Sequence, residues 1–131
     1  MGEWVSLLEL DFTEPAAPEQ IARVLGSPAD AVLSDAAPAL SGIKDVDRAA
    51  VEEIHEAVLL VVDRVLRPGG GLILKAFPGP ESDRMRKVLR SRFPGVKEVR
   101  PEGKRSGSRE FYWVVGGRPT TSRRSRRGRR A

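Results

Sequence analysis

The 131 residues contain no cysteine and a single histidine, His55. The first absence excludes disulfides and thiolate metal sites. The second argues against a histidine-built metal centre or a Ser-His triad. No apolar run approaches the roughly eighteen residues a membrane helix needs, and no basic N-terminal segment leads into a long apolar one. These gaps lead to the expectation of a soluble, cytoplasmic protein with no metal and no membrane partner. No internal repeat is visible, and the length suits one domain that buries about two thirds of its unfolded surface.

Arginine, by contrast, is plentiful and unevenly placed. The formal net charge is +5, yet seven arginines (Arg118, Arg123, Arg124, Arg126, Arg127, Arg129, Arg130) lie in the last fourteen residues. Without them 16 basic side chains face 18 acidic ones, so the body is slightly acidic. Residues 120–130 offer nothing apolar to bury, and 119–131 are expected to form a disordered tail until they meet an anion. RNA or DNA phosphate is the expected partner, with Arg123, Arg124, Arg126 and Arg127 as contacts. A solubilising tail is the plainer alternative.

The body is organised around Ala31-Val32-Leu33-Ser34-Asp35. Its apolar residues read as a buried strand, and Ser34-Asp35 would sit at the carboxyl end, the edge where open α/β sheets bind ligands. Burying Asp35 unpaired is costly, so it needs a donor, a cation or a ligand. Two later strand ends offer candidates: Leu72-Ile73-Leu74-Lys75 ends in an amine, and Arg109-Glu110-Phe111-Tyr112 opens with a charged pair.

Before this core, residues 4–12 look strand-like, and Pro18-Glu19-Gln20 opens a short helix carrying Ile21, Val24 and Leu25 and closed by Gly26. After it, an irregular polar stretch is expected to run to Asp47. Val51, Ile54, Val58, Val61, Val62 and Val65 then follow the 3.6-residue period of a helix packed on a sheet, with His55 on its surface or partly buried. Arg67-Pro68-Gly69-Gly70-Gly71 should end that helix and turn into the strand 72–77. It is not a phosphate cradle, because it follows a helix and precedes a strand. A helix from Pro80-Glu81 carries Met85, Val88, Leu89 and Phe93 inward and Arg84, Arg86, Lys87, Arg90 and Arg92 outward, where solvation is weighed against RNA contact. Segments 96–99 and 111–115 read as a closing hairpin, which makes the sheet mixed α/β.

Taken in order, Ser34-Asp35-Ala36-Ala37-Pro38, Ser41-Gly42, Asp47-Arg48, Leu66-Arg67-Pro68-Gly69-Gly70, Leu74-Lys75-Ala76-Phe77 and Ser106-Gly107-Ser108-Arg109-Glu110-Phe111-Tyr112 resemble the FtsJ-like ribose 2′-O-methyltransferases. The likeness points in particular to the bacterial and archaeal enzymes that act on a uridine of large-subunit ribosomal RNA. It covers about residues 7–118. Each motif alone is weak; their order and spacing are specific.

This resemblance implies a Rossmann-like methyltransferase fold, S-adenosylmethionine as cofactor, ribosomal RNA or the large ribosomal subunit as partner, and a Lys-Asp-Lys-Glu catalytic set. By motif, Asp35 matches the aspartate, Lys75 the second lysine, assigned as proton acceptor, and Glu110 the glutamate. Asp11 matches an acidic residue contacting the cofactor's adenine, so Asp11 and Asp35 are the expected cofactor contacts. A ribose hydroxyl attacks a sulfonium methyl poorly unless a base takes its proton, an effect worth about 10²–10⁴ in rate. A lysine does so only when neutral, and flanking carboxylates favour its charged form, so Lys75 is expected to orient the hydroxyl more than deprotonate it. An ordinary ion-pair cluster is the alternative for these charged strand ends.

The same resemblance implies an upstream lysine, a G-x-x-P-G-G loop and an acidic residue for the cofactor's ribose, none of which has a counterpart here. The expectation is therefore a partial domain, 1–118, lacking the first strands and the Gly-rich cofactor loop. The Ala31 strand would then have an unpaired edge, an aggregation liability. Residues 5–10 should either move in to pair with it or be poorly placed, and a partner chain covering the edge is a further option. Three functions compete: RNA 2′-O-methyl transfer, an inactive RNA-binding remnant whose affinity comes from the tail, and a half-domain completed by a partner carrying the Gly-rich loop.

Overall fold

The computed structural model describes residues 4–101 and 109–116. Its elements are α1 (Ala17–Leu25), β1 (Ala29–Ser34), α2 (Lys44–Val65), β2 (Leu66–Ala76), α3 (Pro80–Arg92), β3 (Val96–Val99) and β4 (Phe111–Gly116). The strands form one sheet in the order β1-β2-β4-β3. β1 runs parallel to β2, and β4 runs antiparallel to both β2 and β3. This is the mixed α/β sheet expected from the sequence. No helix among the described residues is long and apolar enough to cross a membrane.

Strand alternation divides the sheet into two faces. Leu72, Leu74 and Ala76 of β2 pair across with Val115, Trp113 and Phe111 of β4, and all six pack with Val58 and Val62 of α2 and Met85 and Leu89 of α3. The intervening residues, among them Lys75 and Tyr112, therefore point away from this core. On that side Leu33 is 70% exposed, and no residue of β1 is buried, so the buried strand expected at Ala31-Val32-Leu33 is instead a strand at the sheet edge. Helix α3 is tied to α2 by ion pairs of Arg84 with Glu52 and of Arg92 with Asp63. Two arginines of its basic outer face thus serve as latches within the fold, and Val88 points outward instead of into the core.

Three further expectations need correction. Residues 5–9 form no strand, and Trp4, Val5, Leu7 and Leu8 are exposed: the segment does not dock on the outer edge of β1, so its backbone gains no ladder hydrogen bonds. Of the two outcomes anticipated for this segment, it is the failure to pair that occurs, and among the described residues β1 pairs only with β2. Helix α2 begins at Lys44, not after Asp47. Its N-cap, Ile43, has no capping side chain; instead the Asp47 carboxylate reaches back to accept the Ser41 and Gly42 amides at 2.7 and 3.1 Å and the Ser41 hydroxyl at 2.8 Å. The glycine run, expected as a turn, belongs to β2: Ala29 pairs with Leu66 and Ala31 with Gly71, so residues 67–70 bulge opposite Asp30. The expected tail, with Arg123, Arg124, Arg126 and Arg127, and the hairpin connection 102–108 lie outside the described residues.

The bulge depends on Gly70. A Cβ there would lie 2.8 Å from the Asp30 carbonyl oxygen and 2.6 Å from Leu66 Cδ1, so backbone must shift to admit it. Gly70→Ala is expected to destabilise the fold by about 1–3 kcal/mol in urea denaturation. Gly95→Ala, where a Cβ meets nothing, should stay within about 0.5 kcal/mol of the unaltered protein. Equal effects at the two positions would refute this account of the bulge.

Candidate active site

Because β1 and β2 are parallel and β4 runs against β2, the carboxyl ends of the first two and the start of the third meet at one rim. Ser34 pairs with Leu74 and Lys75 with Tyr112, which brings Asp35, Lys75 and Glu110 there together. Lys75 Nζ lies 3.2 Å from Asp35 Oδ1 and 3.6 Å from Glu110 Oε1. The lysine side chain is only 15% exposed and Glu110 22%, while Asp35 stands out at 67%. Burial works against charge on the Lys75 amine, but the hydrogen bond to Asp35 and the charges of Glu110 and Asp35 outweigh it and hold its pKa above the ordinary lysine value. At neutral pH Lys75 is therefore an ammonium.

Sequence reasoning did not assign Tyr112 to the site. Its hydroxyl donates to Asp35 Oδ1 at 2.8 Å, so Asp35 receives both the tyrosine and the lysine on one oxygen. The available signal was the i, i+2 spacing of Glu110 and Tyr112 at a strand start, which gives two residues one side. That hydrogen bond is the largest of the effects raising the Tyr112 pKa, followed by burial and the Asp35 charge.

His55, expected on the helix surface or partly buried, is 3% exposed. Its Nε2 lies 3.3 Å from the Lys75 carbonyl oxygen. A carbonyl can only accept, so the proton of the neutral ring sits on Nε2. Burial lowers its pKa, against smaller raising effects from the Lys75 carbonyl and the Glu81 charge. The backbone of Lys75 is thus tied from α2 while its side chain is tied from β1 and β4.

Asp11 is not drawn into this cluster. Its Oδ1 accepts the Thr13 amide at 3.0 Å and the Thr13 hydroxyl at 2.6 Å, bonds that lower its pKa. Its neighbour Phe12 does reach the site, lining with Val32, Ser34, Asp35 and Val58 a groove of about 360 Å³.

The model of the FtsJ-like methyltransferase family matches residues 1–118. The chain belongs to that family. A ribosomal RNA large subunit methyltransferase E from Methanothermobacter thermautotrophicus is 46% identical over 104 residues, covering 79% of this chain and 49% of the relative. Its namesake from Stutzerimonas stutzeri is 41% identical over 114 residues, covering 86% and 55%. In fold the chain is similar to a ribosomal RNA methyltransferase from Plasmodium falciparum, with a TM-score of 0.63 at 24% identity, over 75% of this chain and 52% of that one. The chain spans about half the length of the curated relatives it matches. Membership in a methyltransferase family implies a methyl donor.

Two titrations follow from the geometry. Tyr112 is the only tyrosine, so an absorbance titration reads it alone: its midpoint should lie above 10.0 and fall on Asp35→Ala. A midpoint that ignores the substitution would contradict the hydrogen bond. For His55, the unfolded chain binds a proton near pH 6.5 while the folded chain does so only at lower pH. The folded state therefore keeps its full stability above the unfolded value and loses part of it as pH falls through this window. Denaturation at pH 7 and pH 5 should show a larger loss for the unaltered protein than for His55→Gln; equal losses would exclude a buried neutral histidine.

Proposed function

We propose that the chain acts in S-adenosylmethionine-dependent methylation of a ribose 2′-hydroxyl, on a uridine of large-subunit ribosomal RNA. The observation that carries this reading is Lys75 held between Asp35 and Glu110 at one rim of the sheet. Large-subunit methylation is named in the relatives, and it is extended to this chain on that cluster.

The residues present fit a cationic cofactor. Two carboxylates converge at this rim, and carboxylate oxygens are the groups that suit a sulfonium. The adjoining groove has apolar walls from Phe12, Val32 and Val58 for a flat heterocycle. Asp35 at its mouth would face the charged end, and Asp11, whose Oδ2 accepts no hydrogen bond among the described residues, would take an adenine amine. When bound, the cofactor supplies the methyl group.

The chain's own residues then have distinct tasks. Lys75, as an ammonium, holds the ribose hydroxyl oxygen, and Asp35, Glu110 and the His55 contact fix where it points. The hydroxyl proton must leave as the oxygen gains its methyl group. A charged lysine has no lone pair to take it, so it passes to one of the two carboxylates. The arginine tail, with Arg123, Arg124, Arg126 and Arg127, adds phosphate contacts. A partner chain along the outer edge of β1 is supported by the lack of any strand there among the described residues.

Methyl transfer from labelled cofactor to large-subunit RNA tests the reading. Lys75→Ala should lower the rate by about 10²–10⁴. Between pH 7 and 9 the rate should stay level, since an ammonium that orients need not lose its proton; a tenfold rise per pH unit would instead make Lys75 the base. Absence of cofactor binding in calorimetry at millimolar concentration would overturn the function, and RNA binding without transfer would leave an RNA-binding protein in its place.

A further inference from the structure

Beside the amine-carboxylate cluster, a second cleft of about 630 Å³ opens where the start of α2 faces the turn after β2. Its size is that of a site for one small organic group. Leu40, Phe77, Pro78 and Pro80 give it an apolar surface, and Lys44, Arg48 and Arg109 bring three cations. Two carboxylates also line it. Asp47 is turned to the Ser41 and Gly42 amides, and Glu81, 7% exposed, lies 3.6 Å from Arg48 Nε, an ion pair in which its buried Oε1 accepts no hydrogen bond among the described residues. Arg48 also faces Asp45 at 3.5 Å.

Lys44 and Arg109 form no ion pair with any described residue. Lys44 is moreover the first residue of α2, where the helix dipole repels a cation. A cation kept against a local rule, and unpaired among the described residues, is free to meet a ligand of opposite sign.

An anion alone would leave the apolar surface idle, whereas a nucleotide offers both phosphate and a flat ring. Position narrows the choice. Arg109 precedes Glu110, and Phe77 lies two residues beyond Lys75, about 6.6 Å of extended chain. The occupant is thus an immediate neighbour of whatever Lys75 holds. Single-stranded RNA is bound by this pairing of cations for backbone and aromatic faces for bases.

We propose that this cleft seats the nucleotide adjoining the reactive ribose of a single-stranded RNA, its phosphate on Lys44 and Arg109 and its base against Phe77. The assignment rests on the methyltransferase reading and adds to it a strand register: the target ribose lies at Lys75 and its neighbour in the cleft.

The probe is a ten-nucleotide single-stranded RNA with 4-thiouridine substituted at each position in turn, used with the full chain. Binding is measured against salt for the unaltered protein, Lys44→Gln, Arg109→Gln and Lys75→Ala. The arginine tail contributes equally throughout, so the differences in slope report the cleft. Each of the two cleft variants should lower the slope of log affinity against log salt by about 0.7, one phosphate on a single strand. Lys75→Ala should lose transfer while keeping most of the slope. Phe77→Leu should weaken binding about tenfold, and the photo-crosslink should map to residues 77–80. Lys44 and Arg109 are exposed, so their variants carry the test if Phe77→Leu fails to fold. Unchanged slopes with crosslinks confined to other segments overturn this proposal alone. No RNA binding by the unaltered chain overturns it together with the methyltransferase reading.

Discussion

Lys75 lays its stem against the sheet, its side chain only 15% exposed, and its amine has opposite charge within reach; the rest of the structure depends on that pairing. Taking an ammonium out of water costs several kcal/mol unless partners replace its hydration, and removing one partner leaves the remaining charge exposed to that cost. Asp35 and Glu110 meet the need from two other strands. No local segment could do so. The parallel pairing of β1 with β2 and the antiparallel return of β4 are what bring three strand ends to one place. Tyr112 and His55 reinforce the same residue indirectly, the one through Asp35 and the other through the Lys75 carbonyl.

Register is the second condition. Leu74 and Ala76 are fully buried in the core, so a slip of one residue in β2 would turn Lys75 inward and the leucine out. The alternation of β2 resists that slip through its buried side chains, but its pairing with β1 must also absorb the run 67–70. The bulge opposite Asp30 does this, and Arg67 Nε meets Asp30 Oδ1 at 2.8 Å across it. A glycine run that looks like a linker in the sequence is thus the device that sets Asp35 opposite Lys75.

Much of this was legible. The apolar triplet at Ala31, the alternation through Leu72 and Leu74 and the valine period of α2 each carry a strong local signal, and the strand-end positions of Asp35, Lys75 and Glu110 followed from them. What escaped depends on contacts distant in sequence. Residues 5–9 have strand composition but do not pair with the edge of β1, and composition does not reveal whether a partner is taken up. The start of α2 was hidden because Ile43 offers no capping side chain, and Asp47, inside the helix, instead ties down the Ser41 and Gly42 amides just before it. Tyr112 became part of the site through cross-strand pairing with Lys75 and a bond to Asp35, 77 positions earlier.

The two grooves beside the cluster answer a conflict inherent in the proposed chemistry. A sulfonium and a phosphodiester carry opposite charges, yet both must approach the same lysine. A single pocket favourable to one would repel the other, since at close range in a partly dry site such a penalty amounts to several kcal/mol. The fold separates them. The groove containing Phe12 and Asp35 has no lysine or arginine in its lining, whereas the cleft containing Phe77 has three beside the carboxylates Asp47 and Glu81. Lys75 is paired with Asp35, which lines the first, and with Glu110, which follows Arg109 of the second. The acidic side of the lysine thus faces the place proposed for the cation, and Lys44 and Arg109 offer the opposite sign to the strand that must meet it.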